Sequence, residues 1–404
     1  MRFPTGLRAL NHRDFRLFWS GQLVSLTGRW MQSVGLAWLV LELTNSPVGL
    51  GIVNALQFAP LLILAFIAGA LADRFPKRRL MIVAQFGLML PALGLAALVG
   101  SGVIQYWHVA VLAAVIGIFN SLDMPARQSL VTELVGKEDL VNAVALNSAV
   151  FNLARVIGPA VAGIVIARYG LAAVFLANGV SYLAVLIALG AMRTGGLPYA
   201  SGSRTLREDI VEGLRYAIAS PLISLVLGLV LAVSVFVINH TVLVPLFARD
   251  VLREGVTSLG FLMAAIGVGA LIGALALARL GHGRPPLAVL IASALVVSAG
   301  ILSLALVRRF WLAAGVLFVA GVAQIVFLAG SNTTLQLTAR DELRGRVMSL
   351  YALVFSGVTP IGALLIGFLA EALGVPVASA VGGGLGVISV LALTALWVRR
   401  ASAR

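Results

Sequence analysis

Residue types able to do chemistry are scarce in the apolar parts of this chain, so each one carries information. Arg29, Asp123 and Arg155 all lie inside long runs of apolar residues. At 1.5 Å of rise per residue, Arg29 sits about 20 Å into its run and Asp123 about 14 Å from the end of its own. A guanidinium at that depth in hydrocarbon costs roughly 2.5–3.5 kcal/mol on insertion scales. Arg29 and Arg155 are therefore expected to face a polar cavity or a carboxylate. Asp123 is either the permanent partner of Arg127 or Arg155, or a group that carries a proton. His240 offers a second titrating group, or is simply a polar residue near a membrane face. Gln32, Asn54, Gln57, Asn120, Asn147, Asn152, Gln324 and Asn332 are candidates to line a cavity. The alternative for these amides is hydrogen bonding between helices, typically for about 0.6 kcal/mol each.

What must position these residues is a set of membrane-spanning helices. A hydrocarbon core of about 30 Å needs roughly 20 apolar residues to cross it. Twelve stretches meet that length, at 15–41, 48–72, 80–100, 107–132, 140–167, 171–192, 221–248, 256–278, 285–307, 310–337, 345–370 and 375–398. The chain is 60% hydrophobic and only 11% charged, where a soluble domain carries about 25% charge. Its net charge of +14 is no sign of nucleic acid here, because basic residues gather in cytoplasmic loops beside anionic lipid. With the N-terminus inside, 22 of the 29 Lys and Arg fall on the inner side and five on the outer. That asymmetry predicts both termini in the cytoplasm. The mixed residues before the first stretch lack a small-residue cleavage site, so no cleaved signal is expected.

The longest polar stretch, 193–220, divides the chain into 1–192 and 221–404. It opens with Gly and Ser, as a flexible linker does. It continues with Leu206, Ile210, Leu214 and Ala217 at helical spacing among charges, which predicts a short amphipathic helix on the membrane surface. A shift of 204 positions superposes Glu138 on Glu342, Gly158 on Gly362, Gly163 on Gly367, Gly170 on Gly374 and Gly179 on Gly383. The expected fold is all-α and integral to the membrane, with twelve helices in two pseudo-symmetric bundles of six.

Two stretches carry a resemblance. One is Gly69-Ala70-Leu71-Ala72-Asp73-Arg74-Phe75-Pro76-Lys77-Arg78-Arg79, between the second and third runs. The other is Gly158-Pro159-Ala160-Val161-Ala162-Gly163, in the fifth. The first resembles the signature loop of the major facilitator superfamily. The second resembles its fifth-helix antiporter motif, with Ala162 where a glycine is usual. Phe15-Arg16-Leu17-Phe18-Trp19-Ser20-Gly21-Gln22, Asp123-Met124-Pro125-Ala126-Arg127-Gln128 and Asn147-Ser148-Ala149 resemble, within it, the bacterial exporter branch that includes the enterobactin exporter.

The resemblance implies a secondary transporter, cargo bound near the midplane, export of a small siderophore- or drug-like molecule across a bacterial cytoplasmic membrane, and proton antiport. It implies that Gly69, Asp73, Arg74, Arg78 and Arg127 latch one conformation. The basic cluster taken alone favours the plainer reading, in which Asp73 caps a turn beside a positive-inside anchor. Gly158 and Gly163 admit a neighbouring helix closely, and Pro159 removes one helical hydrogen bond and tends to kink. No midplane carboxylate of the kind antiporters often use is present, so coupling would rest on Asp123, His240 or the cargo. Two positive groups at Arg29 and Arg155 favour anionic or phenolate-bearing cargo.

Absences exclude other classes. There is no Gly-rich phosphate loop for ATP, no Cys, too few His for a catalytic metal, and no legible catalytic set. The expectation is a monomer with no cofactor and no nucleic-acid partner. A facilitator or importer, or a non-transporting membrane receptor, is the alternative.

Overall fold

A computed structural model describes residues 4–193, 206–279 and 283–402, except for the side chains of 5, 65–70, 72, 73, 137, 206–211, 213, 401 and 402. Every regular element among the described residues is helical. The helices are α1 (Arg13–Thr44), α2 (Pro47–Arg74), α3 (Lys77–Gly100), α4 (Tyr106–Gly136), α5 (Glu138–Tyr169) and α6 (Leu171–Ala191). A surface helix α7 (Leu206–Ala219) follows, then α8 (Pro221–Phe236), α9 (His240–Leu246), α10 (Val256–Arg279), α11 (Leu287–Ser303) and α12 (Phe310–Thr338). The last three are α13 (Arg344–Ala352), α14 (Thr359–Leu373) and α15 (Val375–Ser402).

Among the described residues, ten helical segments are long and apolar enough to cross a membrane. α11 is equally apolar but 17 residues long, about 26 Å. α1 is 32 residues long and is diluted by Arg13, Asp14, Arg16, Arg29 and Glu42. These two complete the twelve transmembrane helices.

Not every run is a single helix. The stretch 221–248 breaks after Phe236: Ile238 N–H reaches back to the Val233 carbonyl and Asn239 N–H to that of Val237. It resumes at His240 and closes with a π turn at Phe247–Val251. The stretch 345–370 likewise carries a π turn, Leu353–Gly357. α4 and α5 run into one another with a single non-helical residue, Gly136 at φ 69°. That conformation is open to glycine at no steric cost. Backbone dihedrals stay helical through Pro159, so the expected kink is not a break there.

The chain forms two compact units. The first holds Met1–Asn45 and Leu56–Ser201; the second holds Ser46–Ala55 and Gly202–Arg404. The flexible linker expected at 194–203 lies outside the described residues. In the first unit α1 packs on α4, α5 and α6, and α3 packs on α4 and α6. One end of it is sealed by Phe15, Phe18, Met81, Leu130, Leu134, Leu146 and Leu189.

A 3-10 turn at Thr5–Asn11 joins this core through buried Ala9 and Leu10. Its backbone is held by Asn142, which accepts Ala9 N–H at 2.8 Å and donates to the Gly6 carbonyl at 2.7 Å. Asp139 pairs with both Arg8 and His12. In the second unit α10 packs on α12, α11 on α12 and α15, and α8 on α15. There Glu212 of α7 bonds Arg346 at 2.9 Å, so the surface helix is tied to α13.

Candidate functional site

Three helices of the first unit converge on one buried carboxylate. Asn120, Asp123 and Arg127 recur at three- and four-residue spacing, which puts them on one face of α4. Opposite them α1 presents Gln22 and Arg29, and α3 presents Gln85. Asp123 is 1% exposed, against 18% for Arg29 and 24% for Arg127. Its Oδ2 accepts from Arg29 Nη2 and Arg127 Nη2, each at 3.0 Å. Its Oδ1 accepts from Gln85 Nε2 at 2.7 Å. Arg29 Nη1 donates to Asn120 Oδ1 at 3.0 Å, and Arg127 Nη1 reaches Gln22 Oε1 at 3.5 Å. A carboxylate in hydrocarbon is tolerable only when paired and hydrogen-bonded, and both conditions are met. One carboxylate against two guanidiniums leaves a single net positive charge. Arg29 Nε, Gln22 Nε2 and Gln85 Oε1 are buried with no bonding partner, so the cluster keeps unused polar capacity.

The cluster opens on a cavity of about 540 Å³. Asp123 and Arg127 line it with Gln22, Gln57, Asn120, Gln128, Asn147 and Asn152, and Phe58, Met124 and Phe151 supply apolar walls. It mixes hydrogen-bonding amides, one guanidinium edge and aromatic surface, as pockets for small organic ligands do. Asn152, which also lines the cavity, spends its amide nitrogen on the Ser148 carbonyl at 2.8 Å.

The remaining candidates lie elsewhere. Arg155 has its guanidinium 5.8 Å from the centre of the Trp30 ring, and Trp30 meets Phe151 edge-on at 5.9 Å. A cation over indole is worth about 0.5–1 kcal/mol or more when desolvated. Gln32 is buried and accepts from Asn178 Nδ2 at 2.6 Å. Asn54 bonds the Leu50 carbonyl of its own helix at 3.1 Å. In the second unit His240 Nε2 and Gln324 Oε1 are 2.9 Å apart.

Of the latch residues, Arg74, Arg78 and Arg127 have described side chains. Arg127 is in the cluster, and Arg78 donates to the Gly190 and Met192 carbonyls at 3.0 Å each, closing the end of α6. Arg74 is exposed at the end of α2. The calls on Gly69 and Asp73 fall on side-chain positions outside those described. A Cβ on Gly158 would lie 2.5 Å from Trp30 Cβ and 2.9 Å from the Thr27 carbonyl oxygen, so α5 touches the backbone of α1 there. Pro159 and Gly163 are buried in the same helix.

Gln22, Gln85 and Asn178 belong to these networks and were not singled out as site residues from the sequence. The one signal for Gln85 is an amide well inside the uncharged stretch 80–106, whose other amide, Gln105, lies at its far end.

Known proteins agree with this architecture. The profile of the transmembrane secretion effector family matches residues 4–404. The enterobactin exporter EntS of Escherichia coli O1:K1 / APEC is 29% identical, over 95% of this chain and 92% of its own length. The staphyloferrin A transporter of Staphylococcus aureus is 26% identical, over 89% and 90%. The multidrug efflux pump Tap of Mycolicibacterium fortuitum is 27% identical, over 87% and 88%. Among solved structures, the nucleoside transporter NupG superposes with a TM-score of 0.76 at 11% identity, covering 95% of this chain and 99% of that one. The family match spans the twelve helices and the Asp123 cluster. The chain belongs to the transmembrane secretion effector family of the major facilitator superfamily, and is a multi-pass membrane transporter, not an enzyme.

Proposed function

We propose that this protein exports a small organic molecule, siderophore- or drug-like, from a bacterial cytoplasm by alternating access in exchange for protons. It works in the cytoplasmic membrane with both termini inside, as the 22-to-5 split of basic residues supports. The observation that carries the reading is a buried carboxylate, Asp123, paired with two arginines on the wall of a cavity. The names of the relatives, exporters of a siderophore and of drugs, support the direction and size of cargo.

Charge decides how the site couples. A cationic cargo and a proton both compete for Asp123, and competition for one carboxylate is the simplest basis of antiport. An acidic cargo instead goes to Arg29 and Arg127, where a proton on Asp123 would aid it rather than displace it. For such cargo the same geometry supports a second reading, a facilitator. An anion leaving a negative interior gains about 2.3 kcal/mol per charge per 100 mV from the membrane potential alone.

Purified protein in liposomes with an imposed pH gradient and an interior pH dye separates the two. Antiport is expected to give gradient dissipation that requires cargo. It is expected to be lost in Asp123→Asn and kept in Glu42→Gln, whose carboxylate only accepts from Trp38 at 2.7 Å. Flux that ignores the gradient but follows an imposed potential would replace antiport by the facilitator.

A further inference from the structure

Helix α2 is shared. Its first nine residues, 47–55, group with the second unit, and the rest, from Leu56, with the first. Both attachments are made at close quarters. In the second unit a Cβ on Gly51 would lie 2.8 Å from the Ala363 carbonyl oxygen, and one on Gly367 would lie 2.9 Å from that of Pro47 and 3.4 Å from Gly51 Cα. Small residues at such spots let backbones approach and pack. In the first unit a Cβ on Gly117 would lie 2.6 Å from the Gln57 carbonyl oxygen and 2.9 Å from Pro60 Cγ. Between the attachments, Pro60 cannot donate to the carbonyl four residues back, which is that of Leu56. The helix is thus short of one internal bond where it passes from one unit to the other.

The start of α2 has a further tie. Glu371 Oε2 at the end of α14 accepts from Ser46 Oγ at 2.5 Å and from Val48 N–H at 2.9 Å, while Ser46 Oγ accepts Gly49 N–H at 3.0 Å. A carboxylate from another helix thereby caps the first turn of α2, meeting its unpaired N–H groups and the positive end of its dipole.

We infer that Glu371 is a positioning residue of the transport cycle: it clasps residues 47–55 to the second unit, and its release lets the helix swing about Leu56–Pro60. The inference rests on the alternating-access reading. The clasp is made of hydrogen bonds at a solvent-exposed site, so it can open without unfolding either unit. The glycine contacts below it add close packing, which suits a joint made and broken repeatedly.

The chain has no Cys, so single cysteines report cleanly. Val53 is 1% exposed in the clasped segment. In proteoliposomes, Val53→Cys is expected to react with a hydrophilic maleimide about tenfold faster when Glu371→Ala is added, as loss of two charge-assisted bonds predicts. Glu371→Gln, which keeps one acceptor, should fall between. In the parent, enterobactin as a probe cargo should change the labelling rate. A Ser46→Cys/Glu371→Cys pair, oxidised, should stop turnover while leaving binding of that probe intact, and reduction should restore it. Labelling that responds to the probe but not to Glu371→Ala overturns the clasp and leaves alternating access standing. Labelling raised by Glu371→Ala but indifferent to the probe supports the clasp and removes alternating access. Full turnover with the disulfide formed overturns the inference.

Discussion

The two units use the same carpentry and different chemistry. In the first, Gly158 lets α5 rest on the backbone of α1 at Thr27 and Trp30. In the second, its counterpart Gly362 lets α14 rest on α8 at the Val235 carbonyl oxygen, 2.6 Å from a built Cβ, and on Asn239. Both supporting helices turn away through a glycine in the left-handed region, Gly170 at φ 81° and Gly374 at φ 85°. The polar nodes differ. The first unit buries Asp123 with Arg29 and Arg127; the second buries His240 against Gln324, with Gln324 on the residue that a 204-position shift lays over Asn120. The packing is common to both units. Among the described residues, the buried carboxylate with its two arginines lies in the first.

The comparison breaks most visibly at Asp123. Replacing it with Ala leaves two guanidiniums buried against one another without their anion, and losing one member of a buried pair costs about 3–5 kcal/mol. Thermal unfolding in detergent should show a large drop for Asp123→Ala and a smaller one for Asp123→Asn, which retains an acceptor for Arg127. Next come the matched glycines. Gly158→Leu and Gly362→Leu each force a side chain into a backbone contact, for about 1–3 kcal/mol apiece. Similar shifts in melting temperature from the two would sharpen the symmetry, and a silent Gly362→Leu would break it. Smallest is the His240–Gln324 bond: His240→Phe should cost about 0.6 kcal/mol, an ordinary interhelical bond, and should leave the pH dependence of transport as it was. A pH profile displaced by His240→Phe would place titrating chemistry in the second unit as well.

The twelve crossings were legible because hydrocarbon allows few alternatives to long apolar helices, and the charges between them mark the gaps. Asp123 with Arg127 was legible too, since a four-residue step on a helix puts them side by side. Arg29 as partner to Asp123 was not, because 94 residues separate them and only tertiary packing brings α1 to α4. The same holds for Gln85 and Asn178, amides whose partners lie on other helices. The break at 237–239 left no trace in composition, with neither Gly nor Pro in Val237-Ile238-Asn239. Asn239 makes it locally, bonding the Val235 carbonyl with its own side chain at 2.8 Å.

The turn at Thr5–Asn11 has a consequence for how the protein is made. It leaves the ribosome before the helices it packs on, and its backbone waits for Asn142, 133 residues later than Ala9. At about 5–20 residues per second, translation leaves that segment without its dock for roughly ten seconds while four helices enter the bilayer ahead of it. A bulky fusion placed before residue 4 would therefore meet its test during synthesis rather than in the finished protein, and would show as lost yield with normal melting of whatever survives.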